Sequence, residues 1–76
     1  MKVFLHTRTP QKRDWTNEIR EFARIPTLGE YVSTSGHGPW HKVELVVHCP
    51  FECGCDAEVY AVEVDHNEVL QAALIG

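Results

Sequence analysis

Short stretches in which apolar and polar residues alternate, separated by turns rich in glycine and proline, dominate the amino-acid sequence. Residues 2–8 place Val3 and Leu5 on one side and mainly polar side chains on the other, which predicts a β-strand. Residues 30–34 form a shorter β-prone segment. No internal repeat or linker interrupts this pattern, so we expect one small domain, residues 1–76.

Residues 40–48 and 57–64 are predicted to pair as an antiparallel hairpin. Alternation places three apolar residues of the first strand on the inward face, namely Val43, Leu45 and Val47. Val46 falls on the outer face as an apolar exception. The second strand is apolar on both faces, which is typical of a strand that is covered on both sides.

The C-terminal segment carries the signals of a short helix. Asp65 is a suitable N-cap with Glu68 three residues later, and Gly76 is a suitable stop. The apolar residues at helical spacing are Val69, Leu70, Ala73 and Leu74. Because a helix this short is not stable alone, we expect it to cover the outer face of the hairpin or to dock onto a second copy as a homodimer. Covering in cis is preferred, since only a short turn separates the last strand from the helix.

Residues 14–25 fit two secondary structures. Trp15, Ile19 and Phe22 lie at helical spacing, but Trp15 and Ile19 also share the parity of a strand. A strand is preferred, because it would form a hairpin with residues 2–8. The predicted fold is therefore mainly β, a small SH3-like or five-stranded antiparallel barrel with a short C-terminal helix.

Length and charge narrow the function classes. The chain has 76 residues and a formal net charge of −4, and 43% of its residues are hydrophobic, which favours a folded domain with a thin core. Residues 39–76 hold one basic and seven acidic residues. The charge disfavours tight nonspecific binding to nucleic acid, since such binding neutralises phosphates. With no membrane-length apolar run and no signal-peptide pattern, the expected location is the cytoplasm.

A Pro-x-x-Gly-Glu turn at residues 26–30 is followed by a Lys-Val-x-x-Val-x-His strand at residues 42–48. Together with the strand at residues 57–62, these motifs resemble small uncharacterised bacterial and phage-borne β-barrel proteins. The resemblance covers residues 25–62, about half of the chain, and implies an SH3-like or related five-stranded barrel. It implies no activity. The insertion at residues 50–55 departs from the family pattern.

Three cysteines within seven residues are the strongest candidate for chemistry. Cys49, Cys53 and Cys55 lie in a loop with turn-forming residues and could converge on one metal ion, with His48 as a fourth ligand. Zinc prefers such a tetrahedral set of thiolates and imidazole. Alternative fourth ligands are His37, His41 and His66. The spacing is not the usual C-x2-C knuckle, so two other interpretations stay open: a core thiol at Cys49 with two exposed loop thiols, or a disulfide from Cys49 under oxidising conditions.

Enzymatic function is the least favoured class. A cysteine nucleophile needs a histidine base, but His48 and Cys49 are neighbours on a strand and point to opposite faces. No oxyanion-hole or phosphate-loop motif accompanies them.

Exposed aromatic residues are candidates for a binding surface. The best pair is Tyr31 and Trp40, near one turn, and Phe51 in the cysteine loop could act as a separate anchor. The favoured function is therefore a small non-enzymatic module that binds a protein partner and needs no cofactor. The alternative is a zinc-stabilised module that uses the cysteine-rich loop at residues 48–55.

Overall fold

The computed structural model describes residues 1–75 and contains five β-strands followed by one helix. The elements are β1 (Lys2–Arg8), β2 (Thr16–Glu21), β3 (Tyr31–Ser33), β4 (Trp40–His48), β5 (Ala57–Val64) and α1 (His66–Ile75). The predicted mainly β fold with five strands and a short C-terminal helix is confirmed. The stop predicted at Gly76 lies outside the described residues. No helix in the described part of the chain is long and apolar enough to span a bilayer.

The five strands form one curled sheet, a half-barrel with the order β2-β1-β5-β4-β3. The predicted hairpin of β4 and β5 is present and antiparallel. The sheet departs from an all-antiparallel arrangement at one contact, because β1 and β5 run parallel, with Phe4 in register with Glu58. Parallel neighbours need a long crossover, and the chain from residue 9 to residue 56 supplies it.

The hydrophobic core lies on the inner face of the curl. Its buried members are Val3, Leu5, Val32, Val43, Val59 and Ala61. Three partly buried side chains, Phe22, Ile25 and Val46, pack against them. Strands β1, β3, β4 and β5 each contribute a buried residue to this cluster, and β2 contributes none. Val3 and Leu5 are both buried, so the alternation of β1 predicted its inward face correctly.

A β-bulge in β4 changes which residues face the core. The register with β5 shifts between Val43 and Leu45, so the strand gains one residue at Glu44. Val43 is fully buried as predicted, but Leu45 is 52% exposed and Val47 is 41% exposed. The prediction that these two face the core is wrong, because a one-residue shift turns every later side chain to the opposite face. Val46 packs against the core in their place.

The segment at residues 14–25 contains a strand, as preferred, and the helical alternative is wrong. Strand β2 pairs antiparallel with β1, and Ile19 lies opposite Phe4. Ile19 itself is 58% exposed, so backbone pairing rather than burial of its side chains holds β2 on the sheet.

Helix α1 projects from the sheet instead of covering it. Asp65 caps it as predicted, since the Asp65 carboxylate accepts a hydrogen bond from the Asn67 amide at 2.9 Å. Leu70 is 40% and Leu74 is 80% exposed, and only Val69 is half-buried. The radius of gyration is 13.0 Å, compared with about 11 Å for a compact chain of this length. The expectation that the helix folds back over the outer face is therefore wrong.

Aromatic side chains cover the outer face of β1 and β5. The His6 ring stacks on Tyr60 with centroids 4.4 Å apart, and Trp15 meets Tyr60 edge-on at 5.3 Å. Phe4 lies 4.5 Å from His6, and the Arg8 guanidinium lies 5.0 Å from the Trp15 ring. This stack explains why β5 carries apolar side chains on both faces.

The Pro-x-x-Gly-Glu segment forms a tight turn beside the core. The Glu30 amide donates to the Thr27 carbonyl at 3.1 Å, and Gly29 has a φ of 87°, as a type II turn requires at that position. The Glu30 carboxylate accepts hydrogen bonds from the Arg24 guanidinium and from the Thr27 amide. These bonds, led by the one from Arg24, lower the pKa of Glu30 to about 2.

Candidate metal centre

The cysteine loop connects the β4–β5 hairpin at its far end, and backbone hydrogen bonds fix its base. The Cys49 amide donates to the Asp56 carbonyl at 3.0 Å, and the Asp56 amide donates to the Lys2 carbonyl at 2.7 Å. The Asp56 carboxylate in turn accepts from the Lys2 amide at 2.8 Å. The loop is thereby anchored to both β4 and the start of β1.

Within this loop the three cysteine sulfur atoms lie together. The Sγ atoms of Cys49, Cys53 and Cys55 are all within 4.8 Å of one another. Those of Cys53 and Cys55 are 3.9 Å apart, and Cys53 Sγ also donates to the Cys55 carbonyl. Cys49 and Cys55 are half-buried, whereas Cys53 is exposed. All three are free thiols, so no disulfide closes the loop.

The structure brings none of the candidate histidines into this cluster. His48 is not a member, and its side chain is exposed at the end of β4. His41 is buried at the opposite end of β4, and His66 lies 5.4 Å from the ring of Trp40. That end of β4 is about 25 Å from the cysteine loop, given the rise of roughly 3.3 Å per strand residue. Among the described residues, the cluster therefore consists of three thiols alone.

The thiols of Cys49 and Cys55 hold their protons more strongly than usual. Partial burial, together with a hydrogen bond and charge repulsion from Cys53, raises the pKa of Cys55 to about 11. Burial also raises the pKa of Cys49. A thiolate is the reactive and metal-binding form, so these groups are poor nucleophiles at neutral pH unless a cation displaces their protons.

The spacing of the sulfur atoms suits a thiophilic metal ion. In a tetrahedral zinc site with Zn–S bonds of about 2.3 Å, neighbouring sulfur atoms are about 3.8 Å apart. The distance of 3.9 Å between Cys53 and Cys55 matches that value. Glu52, Asp56 and Glu58 lie within three residues of the cluster in the sequence, and the one lysine beside the loop is Lys2, so acidic side chains outnumber basic ones there and favour a cation.

The aromatic candidates fall into two separate places. Tyr31 and Trp40 are neighbours, with ring centroids 6.4 Å apart, and they line a shallow cleft of about 240 Å³. Tyr31 is 45% exposed. Phe51 is 67% exposed in the cysteine loop, at the other end of β4.

A groove on the outer face of the sheet was not predicted. It has a volume of about 640 Å³ and lies between Trp15, Tyr60 and Leu45, with Arg8 and Glu44 among its walls. Leu45 reaches this groove only because of the bulge. The adjacent pair of valines at positions 46 and 47, which breaks the alternation, is the one sequence signal of that bulge.

Comparisons with protein-family models, with curated proteins and with solved structures find no match to this chain. The resemblance to small bacterial and phage-borne β-barrel proteins therefore stays a prediction, and the geometry of the chain itself carries the functional argument.

Proposed function

We propose that the chain is a small non-enzymatic binding module whose ligand is a thiophilic metal ion, zinc in the first place, held by Cys49, Cys53 and Cys55. The observation that carries this proposal is the convergence of three sulfur atoms within 4.8 Å. Soft thiolate ligands select zinc and monovalent copper over magnesium or calcium. The raised pKa of Cys55 argues against a nucleophilic role, since the thiol is largely protonated at neutral pH.

The proposed site needs three reduced thiols, so we propose a reducing compartment such as the cytoplasm as its location. Oxidation that joins two of the three sulfurs would remove two of the ligands. We therefore expect treatment of the metal-free protein with a thiol oxidant to abolish metal uptake, and a reductant to restore it.

Cobalt titration tests the proposal, because Co²⁺ reports its ligands by absorption. The reduced, metal-free chain should take up one Co²⁺ per molecule with intense thiolate-to-cobalt absorption, and Zn²⁺ should displace it. Replacing each cysteine by serine should weaken binding strongly, whereas Glu52→Gln, in the same loop but outside the cluster, should retain one-to-one uptake. Absence of uptake, or uptake retained by the triple serine variant, would overturn the proposal.

A second candidate function is self-association through α1. Leu70 and Leu74 are exposed on a helix of ten residues, and a helix of this length is not stable without packing. Since the helix does not cover the sheet, a second copy of the chain is the partner this observation favours, with the two helices related by a twofold axis.

The dimer should be weak. Two helices about 15 Å long bury far less surface than the roughly 1,600 Å² of a standard interface. We expect sedimentation to show a dimer whose fraction grows with protein concentration. Leu74→Glu should abolish it, while Leu28→Glu, at a side chain 69% exposed elsewhere, should not. A wild-type chain that stays monomeric at millimolar concentration would contradict this candidate.

A further inference from the structure

The cysteine cluster offers a tetrahedral ion only three ligands. Glu52 and Asp56 lie in the same loop and His48 flanks it, but none of them belongs to the cluster in the described part of the chain. Structural zinc sites are closed by four protein ligands, whereas sites with three leave a position for another molecule. An ion held here would therefore keep one position that this chain does not fill.

Backbone hydrogen bonds also close the loop. Backbone bonds from Cys49 and Asp56 fix its base, and the hydrophobic core lies on the sheet, formed by residues such as Leu5 and Val59. A structural metal usually compensates for a core that is too small to hold the fold. In this protein backbone bonds and the core already join the hairpin to the sheet, so a structural role alone does not explain why the cluster has only three ligands.

Access to the cluster is open. Cys53 is exposed, and the loop residues 50–54 are all exposed, including Phe51 at 67%. A donor atom from another molecule can reach the ion from solution, and Phe51 offers that molecule an apolar contact beside it.

We propose, on the basis of the metal-binding function above, that the open position is filled by a thiolate of another molecule and that the loop exchanges its ion with that molecule. The incoming thiol would lose its proton to solvent, and its thiolate would take the open position. For the ion to be passed on, the three loop cysteines would then leave it one after another, each taking a proton from solvent as a donor atom of the other molecule or a water takes its place. The metal keeps its charge throughout, so the exchange needs no oxidant or reductant.

The charge around the loop makes the fourth ligand weakly held. Zn²⁺ with three thiolates carries a net charge of −1, and a fourth thiolate makes the net charge −2. Glu52, Asp56 and Glu58 outnumber the one neighbouring lysine, Lys2, whose backbone amide bonds to Asp56. Weak binding of the fourth thiolate is what exchange requires, since a tightly closed site would retain its ion.

The experiment uses the full chain, reduced with a phosphine and loaded with Co²⁺. Titration with 2-mercaptoethanol should shift the visible cobalt bands to those of four sulfur ligands, with saturation at millimolar thiol. Native mass spectrometry should then show one chain, one ion and one small thiol. A dimer with one shared ion would instead identify the fourth thiolate as a cysteine of a second copy, which supports the same chemistry from another source.

Kinetics test the exchange itself. The rate of Zn²⁺ transfer from the chain to a colorimetric chelator should rise in proportion to the 2-mercaptoethanol concentration. The corresponding alcohol, ethylene glycol, should leave the rate unchanged.

The outcomes separate this inference from the function on which it rests. If the chain binds no cobalt, the proposed metal function fails, and this inference fails with it. If cobalt binds but its spectrum does not respond to thiol, the inference is overturned and the metal function stands. A change of that unresponsive spectrum in His48→Ala would then identify His48 as the fourth ligand. Loss of cobalt without a four-sulfur spectrum also overturns the inference.

Discussion

Replacing Val43 and Leu45 by alanine, one at a time, tests the bulge in β4. Val43 is fully buried, and Val43→Ala removes two carbon atoms from the core. At about 0.8 kcal/mol per carbon plus a term for the cavity, the expected loss in the free energy of unfolding is about 2–3 kcal/mol. Leu45 is 52% exposed. Leu45→Ala removes three carbon atoms that are already half in water and leaves no enclosed cavity, so the expected loss is about 1 kcal/mol.

Regular alternation along β4 predicts the opposite result, with a larger loss of stability for Leu45→Ala than for Val43→Ala. If Leu45 faced the core beside Val43, Leu45→Ala would cost about 3–5 kcal/mol, more than the smaller deletion at Val43. The sign of the difference between the two variants therefore distinguishes the bulged strand from a regular one.

Urea unfolding followed by tryptophan fluorescence and circular dichroism measures both losses. A domain of this size has a total stability of about 4–11 kcal/mol, so both variants should fold. Each kcal/mol should lower the melting temperature by about 4–8 °C. Leu28→Ala, at a side chain 69% exposed in the turn at residues 26–30, is the control and should cost less than about 0.5 kcal/mol. A larger loss for Leu45→Ala than for Val43→Ala would refute the bulge and the core assignment that depends on it.

Three further predictions concern the loop, the helix and the turn. Without metal, Cys53→Ser and Cys55→Ser should each change the free energy of unfolding by less than about 0.5 kcal/mol. With Zn²⁺ at 100 times its dissociation constant, the free energy of unfolding of the wild-type chain should rise by about 2.7 kcal/mol, measured by thermal melting, and that of the variants should rise much less. Equal rises in all of them would exclude the three cysteines as the zinc ligands. Removal of residues 66–76 should cost less than about 1 kcal/mol in urea unfolding, since α1 leaves its leucines exposed, and a loss of several kcal/mol would mean that the helix packs on the sheet. Glu30→Gln should destabilise the protein above pH 4.5, and the loss should shrink as the pH falls towards 2. The pKa of Glu30 is lowered in the folded state, so the carboxylate stabilises the fold fully above its usual pKa and ceases to do so when it is protonated. Unfolding curves of the two proteins that differ by a constant amount across this pH range would contradict the ion pair with Arg24.

Alternation correctly predicted which residues face the core where the strand is regular, and it failed where the pairing register changes. Strand β1 is paired along both edges without interruption, so Val3 and Leu5 face the core as their spacing predicts. In β4 the extra residue at Glu44 depends on the register with β5, and the sequence signals it only through the adjacent pair Val46 and Val47, which breaks the alternation. The parallel contact of β1 with β5 was missed because pairing between distant strands has no local pattern.

The candidate metal site was predictable where it is local. Cys49, Cys53 and Cys55 lie within seven residues, so a loop with turn-forming residues brings their sulfur atoms together almost regardless of the rest of the fold. The missing fourth ligand could not be foreseen, because it depends on where each histidine lies in the sheet. The edge-on contact of Trp15 with Tyr60 could not be predicted either, since 45 residues separate the two rings in the chain.

The parallel contact between β1 and β5 also governs how the chain reaches its native state. On one side β1 pairs with the hairpin partner β2, and on the other with a strand that begins at Ala57. During synthesis the second edge of β1 stays bare until nearly the whole chain has been made, and a bare apolar edge is a site for pairing with other chains. Closing a loop of some fifty residues also slows refolding relative to a fold built from hairpins alone. A nascent chain of residues 1–56 should therefore stay unfolded and bind chaperones, and the sheet should form cooperatively only when β5 arrives.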